Sequence, residues 1–196
     1  MTDPDTLRID DEEIVEAILQ ETPDAAIVAN LGVASWVLAR IRDRERNFYM
    51  DGGMGGTTPT GMGIALRTDE DVVVLDGDGS MLMSMGCLST VGAYGPDNLT
   101  IVVRDNGVYG TTGGQSNASA NVDFAGVAES CGIQSERAST PEEFESTFRE
   151  AVNRPGPSLI ECRVTPISIG PPDDFVPYEY SHSYAAHRFR SVIGIE

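Results

Sequence analysis

The sequence predicts an α/β fold: a doubly wound parallel sheet with helices on both faces. Three observations carry this. Short apolar runs alternate with amphipathic helical segments along the chain, the order that parallel strands with crossover helices require. The runs AAIVAN, DVVVLDG and LTIVVRD are apolar enough to be buried strands. Each ends in a polar or glycine-rich turn that leads to the next element, and 21 glycines in 196 residues suit many tight turns.

The elements follow in order. Residues 10–21 read as an amphipathic helix with acidic residues in its first turn, which suits the helix dipole. Residues 25–30 are a short buried strand. Residues 33–44 form a second helix with arginines in its last turns. FYMDGGMG at 48–55 is a glycine-rich turn from strand to helix. A strand at 71–79 ends in an acidic turn, and 80–95 are helical, rich in Met and Gly. A strand beginning at residue 98 ends in the polar turn DNGVYG. Residues 124–132 and 141–156 are helices, the second opened by Thr140 and Glu143 as a capping box. The last strand spans 157–164. Residues 1–165 form the domain. Residues 166–196 are an extension, Pro-rich at first and ending in a short helix, Tyr184–Ile193, that packs on the domain or on a partner.

Composition excludes several functions. There are 31 acidic against 13 basic residues, a net charge of -18, and every basic residue is Arg. Such a surface repels nucleic acid and acidic membranes. It suits a salt-adapted cytoplasmic protein whose self-repulsion is screened in molar salt. No apolar run reaches the length of a membrane span, and the acidic first residues do not resemble a secretion signal. Cys87, Cys131 and Cys162 form no metal-type spacing and read as small buried hydrophobes of a reducing compartment. His182 and His187 are five apart, not the three or four of a helical metal pair.

The chemistry gathers at two strand ends. Asp78, in GDGS, follows the strand VVVLD; Asn106, in DNGVYG, follows TIVVRD. Ligands of open α/β sheets bind outside the carboxyl ends of strands. A carboxylate and an amide there are hard oxygen ligands suited to Mg²⁺ shared with phosphate. The helix opening at Ser80 offers free N–H groups to a diphosphate, and Gly77 and Gly79 allow close approach.

GDG followed by 26 residues and Asn106 resembles the magnesium–diphosphate motif of thiamine diphosphate enzymes. The stretch GDGSMLMSMGCLSTVGAYGPDNLTIVVRDNGVYGTTGGQ is similar to its counterpart in sulfopyruvate decarboxylase β subunits and phosphonopyruvate decarboxylases. The resemblance covers roughly residues 10–164. It implies Mg²⁺ held by Asp78, Asn106 and the Val108 carbonyl. Met54 would lie under the bent cofactor and the Gly52 carbonyl would receive its 4′-amino group, while Gly77, Gly79, Ser80, Tyr109 and Gly110 would line its path. Thr111, Thr112 and Gln115 belong to a glycine-hinged segment beside the substrate. Gly32 and Ser35 form a further turn where the family binds diphosphate.

The family also needs a glutamate against the pyrimidine, from a second domain of similar fold, and this chain has room only for the diphosphate-binding domain. No catalytic residue of that kind is expected here. The resemblance therefore implies a β subunit of a 2-oxo acid decarboxylase, sulfopyruvate decarboxylase-like, that works with an α subunit in a hetero-oligomer. Another thiamine diphosphate enzyme subunit, of a phosphonopyruvate decarboxylase or an acetolactate synthase-like carboligase, and a non-catalytic cofactor-binding scaffold subunit are the alternatives. The sequence departs from the family pattern at Asp51, Ser84 and Trp36, the last replacing an arginine. With that Arg lost and no Lys, the anion pocket for substrate is expected largely from the partner.

Overall fold

The computed structural model describes residues 8–166 and 181–195. Its strands are β1 (Ala26–Asn30), β2 (Asn47–Met50), β3 (Val72–Gly77), β4 (Leu99–Asp105), β5 (Val108–Tyr109), β6 (Gln115–Ser116), β7 (Gln134–Ala138) and β8 (Ser158–Arg163). Six of them form one sheet in the order β2-β1-β3-β4-β8-β7, parallel throughout. The helices are α1 (Asp11–Glu21), α2 (Val33–Arg42), α3 (Thr57–Ala65), α4 (Asp78–Ser84), α5 (Cys87–Tyr94), α6 (Phe124–Ser130), α7 (Pro141–Val152) and α8 (His182–Ile193).

Alternate residues of each central strand feed two separate cores, as the period of two requires. Ile27, Val73, Leu75 and Val102 pack under α1, α2 and α7, with the stacked rings of Phe144 and Phe148. Val72, Val74, Ile101 and Val103 pack under α3, α4, α5, α6 and α8. The sheet is thus covered on both faces, as the apolar runs predict. β1 leads to α2 on one face and β3 to α4 on the other, so the chain reverses its winding between these neighbouring strands. In such sheets that reversal opens a crevice at the strand ends.

The N-cap of α7 forms, with the Thr140 hydroxyl accepting from the Glu143 N–H, but the Glu143 carboxylate accepts from the Ser139 N–H, one residue before the cap, so the expected capping box is only half made; the full box is at α1, between Asp10 and Glu13. Four further differences from the sequence reading have local causes. The helical stretch 80–95 is two helices, because i→i+3 bonds from Leu88 to Met85 and from Ser89 to Gly86 replace the α ladder there. Asp78 and Gly79 belong to α4 rather than to the preceding strand. The polar strand β7, QSERA, closes one edge of the sheet, where a largely exposed face leaves no apolar signal. The glycine-hinged segment after Asn106 is a β5–β6 hairpin.

Helix α8 begins at His182 and lies against the edge strand β2. Phe189 meets Phe48 with ring centroids 5.4 Å apart, and Arg188 grips Asp43 through both amino nitrogens at 2.9 and 3.1 Å. Residues 167–180, which include the Pro-rich part of the extension, lie outside the described residues. No helix among the described residues is long and apolar enough to cross a membrane. Of the cysteines, Cys162 is fully buried, and burial pushes its thiol far up; Cys87 and Cys131 are only half-buried, and all three are free.

Candidate active site

The crevice at the winding reversal is lined by the ends of β1, β3 and β4 and by the β5–β6 hairpin. Asp78 is the first residue of α4, 3% exposed, and sits where β3 gives way to the helix. Its Oδ1 accepts from the Gly79 N–H at 2.7 Å. Its Oδ2 accepts from the Gly107 N–H at 2.8 Å and from Asn117 Nδ2 at 2.9 Å. A carboxylate has about four acceptor positions, so these three donors leave one for a further ligand. Burial, and next the neighbouring Asp105 carboxyl, push Asp78 above the usual carboxylate range. A bound cation would relieve both pressures.

Asn106 lines the same crevice. Its Oδ1 accepts from the Val108 N–H at 2.9 Å, which fixes the amide oxygen and leaves its second lone pair. The carbonyls of Gly107 and Tyr109 take donors from within the hairpin, Asn117 N–H for the first and Thr112 and Gly114 N–H for the second. Carbonyls alternate along a strand, so that of Val108 turns the opposite way. Asp78, Asn106 and Val108 together offer three oxygens of hard type, the donor set that suits Mg²⁺.

Gly79 shows why glycine stands in the motif. A Cβ there would lie 2.5 Å from Tyr109 Cε1 and 3.1 Å from Met54 Cε. Met54 and Tyr109 therefore close over bare backbone at the start of α4. The Gly55 N–H, next to Met54, donates to Ser80 Oγ at 3.0 Å. Ser80 in turn bonds the fully buried Asp76, which also receives the Thr58 hydroxyl at 2.7 Å and the Gly77 N–H at 2.9 Å. Burial holds the Asp76 carboxyl up against these bonds. The Ser80 hydroxyl is thus committed to anchoring the Met54 turn, and Ser80 also lines the crevice.

Among the other residues singled out from the sequence, Gly77, Gly110, Thr111 and Thr112 line the crevice. Gln115 does not; its side chain is exposed and donates to Thr112 Oγ1. Gly52 stands outside the lining on an exposed turn with φ +75°. Gly32 has φ +76°, and a Cβ on it would meet Thr111 Cγ2 at 2.5 Å. The Ser35 hydroxyl is engaged by the Asn30 carbonyl at 2.6 Å. Asp51 pairs with His182 at 2.9 Å on the surface, outside the crevice lining, and His187 is exposed.

Several contributors carry no motif. Asn30, at the end of β1, lines the crevice and accepts from the Thr57 hydroxyl at 3.2 Å. Asn117 reaches Asp78 from 39 residues away in sequence. Arg104 lines the crevice from within β4, paired with Asp11. The polar residue ending the apolar run AAIVAN was the one signal that could have marked Asn30. Nothing local marks Asn117.

A fold wound this way, with a carboxylate and an amide converging at the reversal, defines a diphosphate-cofactor domain of the thiamine class. Residues 30–162 match the family model of the thiamine pyrophosphate enzymes' C-terminal TPP binding domain, and the chain belongs to that family. It is 40% identical over 91% of its length to phosphonopyruvate decarboxylase of Streptomyces viridochromogenes, and spans 45% of that protein. It is 36% identical over 88% of its length to sulfopyruvate decarboxylase subunit beta of Methanococcus maripaludis, covering 94% of that subunit. Among solved structures it is similar to the thiamine diphosphate-dependent 4-hydroxybenzoylformate decarboxylase of Rhodococcus jostii RHA1. The TM-score is 0.70 at 26% identity, over 80% of this chain and 32% of that one.

Proposed function

We propose that this chain is the β subunit of a thiamine diphosphate- and Mg²⁺-dependent decarboxylase that converts 3-sulfopyruvate to sulfoacetaldehyde and CO₂. The observation that carries the reading is the convergence of Asp78, Asn106 and Val108 beside the bare backbone of Gly79. The similarity to subunits named sulfopyruvate decarboxylase beta, 36% over 94% of one and 42% over 81% of another, supports the substrate.

Asp78 Oδ1, which takes a single N–H donor, Asn106 Oδ1 and the Val108 carbonyl would hold Mg²⁺ against the diphosphate. Gly77 and Gly79 admit the phosphates to backbone distance, and the Ser80 N–H faces them. Met54, held by the Gly55–Ser80 bond, would fill the angle between the two cofactor rings. The Gly52 carbonyl would receive the 4′-amino group, and Tyr109 and Gly110 would wall the crevice from the hairpin side. When bound, thiamine diphosphate supplies the electron sink that accepts the electron pair of the departing carboxylate. Close placement of the reacting groups then makes proton removal effectively intramolecular.

No glutamate lines the crevice among the described residues. A second polypeptide, the α subunit, would bring one to the pyrimidine, with the cofactor at the interface and β–β contacts completing a hetero-oligomer. The assembly would work in the cytoplasm.

The test is to recover the chain from its native cells in molar KCl, identify its partner by intact mass, and offer the complex sulfopyruvate with Mg²⁺ and thiamine diphosphate. Equal amounts of CO₂ and sulfoacetaldehyde are expected. An acetohydroxy acid product would favour a carboligase. Recovery without a partner, together with no turnover, would favour a scaffold role. Faster turnover of phosphonopyruvate would move the substrate to the phosphonate, which the 40% identity to a phosphonopyruvate decarboxylase makes the second reading.

A further inference from the structure

We propose that Arg104 is the cation of this crevice that faces the cofactor's diphosphate, clamped from behind by Asp11. The inference rests on the thiamine diphosphate reading above and adds a binding residue outside its metal set.

Arg104 is the penultimate residue of β4. Val102 belongs to the core under α1 and α2, while Ile101 and Val103 belong to the opposite one. By the same alternation Arg104 emerges on the α1–α2 side, at the top of the sheet. Its register partner on β3 is Gly77, which has no side chain. A Cβ on Gly77 would stand 3.1 Å from Asn30 Nδ2, so Gly77 leaves a backbone-floored gap between Asn30 and Arg104. Met54 packs at Gly79, at the start of α4, and Arg104 stands across β3 from it on the α1–α2 side.

An arginine 4% exposed on a central strand needs a reason. Asp11, the first residue of α1 and 3% exposed, supplies its counter-charge. Nε donates to Asp11 Oδ1, and Nη2 stands in an ion pair with the same oxygen. The pairing is one-sided. Nη2 is buried against Asp11 without an aligned hydrogen bond. A guanidinium presents five N–H donors in a fixed fork that matches oxyanions, and Asp11 meets its Nε edge alone with a hydrogen bond. Asp11 neutralises the charge and fixes the plane, and the Nη1 end of the fork makes no hydrogen bond to a described residue.

The crevice lining contains one side-chain cation, Arg104, and one carboxylate, Asp78, among the described residues. Asp78 is committed to Mg²⁺. The oxygens of the terminal phosphate are the group whose charge and geometry the open side of Arg104 fits. A substrate sulfonate or carboxylate shares the oxyanion chemistry, so the experiment must separate the two.

The native complex is titrated with thiamine diphosphate, thiamine monophosphate and thiamine, each with Mg²⁺. Three versions are compared: unaltered, Arg104→Lys, and Arg104→Gln combined with Asp11→Asn. The double variant removes both charges and leaves no unpaired buried ion. Its thiamine diphosphate affinity is expected to fall roughly ten- to hundredfold, the range for a lost hydrogen bond to a charged group. Thiamine affinity should stay within about threefold, since it has no phosphate for Arg104 to meet. Arg104→Lys, which keeps the charge and loses the fork, should fall between. The KM for sulfopyruvate at saturating cofactor should not move.

Unchanged thiamine diphosphate affinity in both variants would overturn the proposal. So would equal weakening of thiamine and thiamine diphosphate, which marks a structural role. A raised substrate KM with intact cofactor binding would place Arg104 on the substrate instead. If the double variant melts early, the ratio of thiamine diphosphate to thiamine affinity in Arg104→Lys decides alone. Failure of the unaltered complex to bind thiamine diphosphate would overturn the cofactor reading itself, a result distinct from these.

Discussion

Asp78 carries more of this account than any other residue, because burial and Asp105 raise its carboxyl while three N–H donors fix its oxygens. Asp78→Ala removes the metal's carboxylate and should weaken Mg²⁺-dependent thiamine diphosphate binding by more than about a hundredfold, as loss of a charged ligand does. Binding unchanged by that substitution would remove Asp78 from the site. Gly79→Ala tests the cradle. The added Cβ would stand 2.5 Å from the Tyr109 ring, which lines the crevice and must shift to make room. Cofactor affinity should fall about tenfold with little change in melting temperature, since the clash sits at the end of a side chain. Asp78 and Asn106 were legible because each is a polar residue directly after an apolar strand, where α/β sheets bind ligands. Asn30 and Arg104 were not singled out, since a polar residue within or ending a short apolar run looks like any other strand terminus. Asn117 acts through the return of the hairpin, a distance that no local pattern encodes.

The elements separate those written in periodicity from those written in contact. Helix α7 announces itself by its cap. Thr140→Ala should cost about 1 kcal/mol and lower the melting temperature by about 2–4 °C. The α5–α6 contact is invisible in sequence. A Cβ on Gly92 would stand 1.8 Å from the Cys131 carbonyl oxygen, and backbone cannot yield as a side chain can. Gly92→Ala should therefore destabilise by about 2 kcal/mol or more, well beyond the cap variant. Thermal unfolding of the pair checks the order, and a milder Gly92→Ala would show that α5 shifts freely on α6. Strand β7 escaped the sequence reading for a related reason. Four of its five residues are exposed or half-buried, so it pairs with β8 by backbone and offers no apolar alternation.

At the scale of the whole molecule, two cores and a parallel sheet are supported by apolar runs that the sequence displays openly. The charge around them is lopsided. A net charge of -18 with no Lys opposes compaction at low salt. Many of the arginines are already used locally, among them Arg46 with Glu70, Arg149 with Glu21 and Arg188 with Asp43. The excess carboxylates are left to repel one another. Raising KCl toward molar levels shortens the Debye length to about 3 Å and should raise the melting temperature. A melting temperature flat or falling in KCl would refute the salt-adapted reading.

The central claim is that this chain holds the diphosphate end of thiamine diphosphate through a metal at Asp78, Asn106 and Val108. Calorimetric titration of thiamine diphosphate into the native complex, with Mg²⁺ and again with EDTA, tests it most directly. The account predicts binding that requires Mg²⁺ and is abolished alike by EDTA and by Asp78→Ala. Binding of equal strength under all three conditions, or none to the unaltered complex, would contradict it.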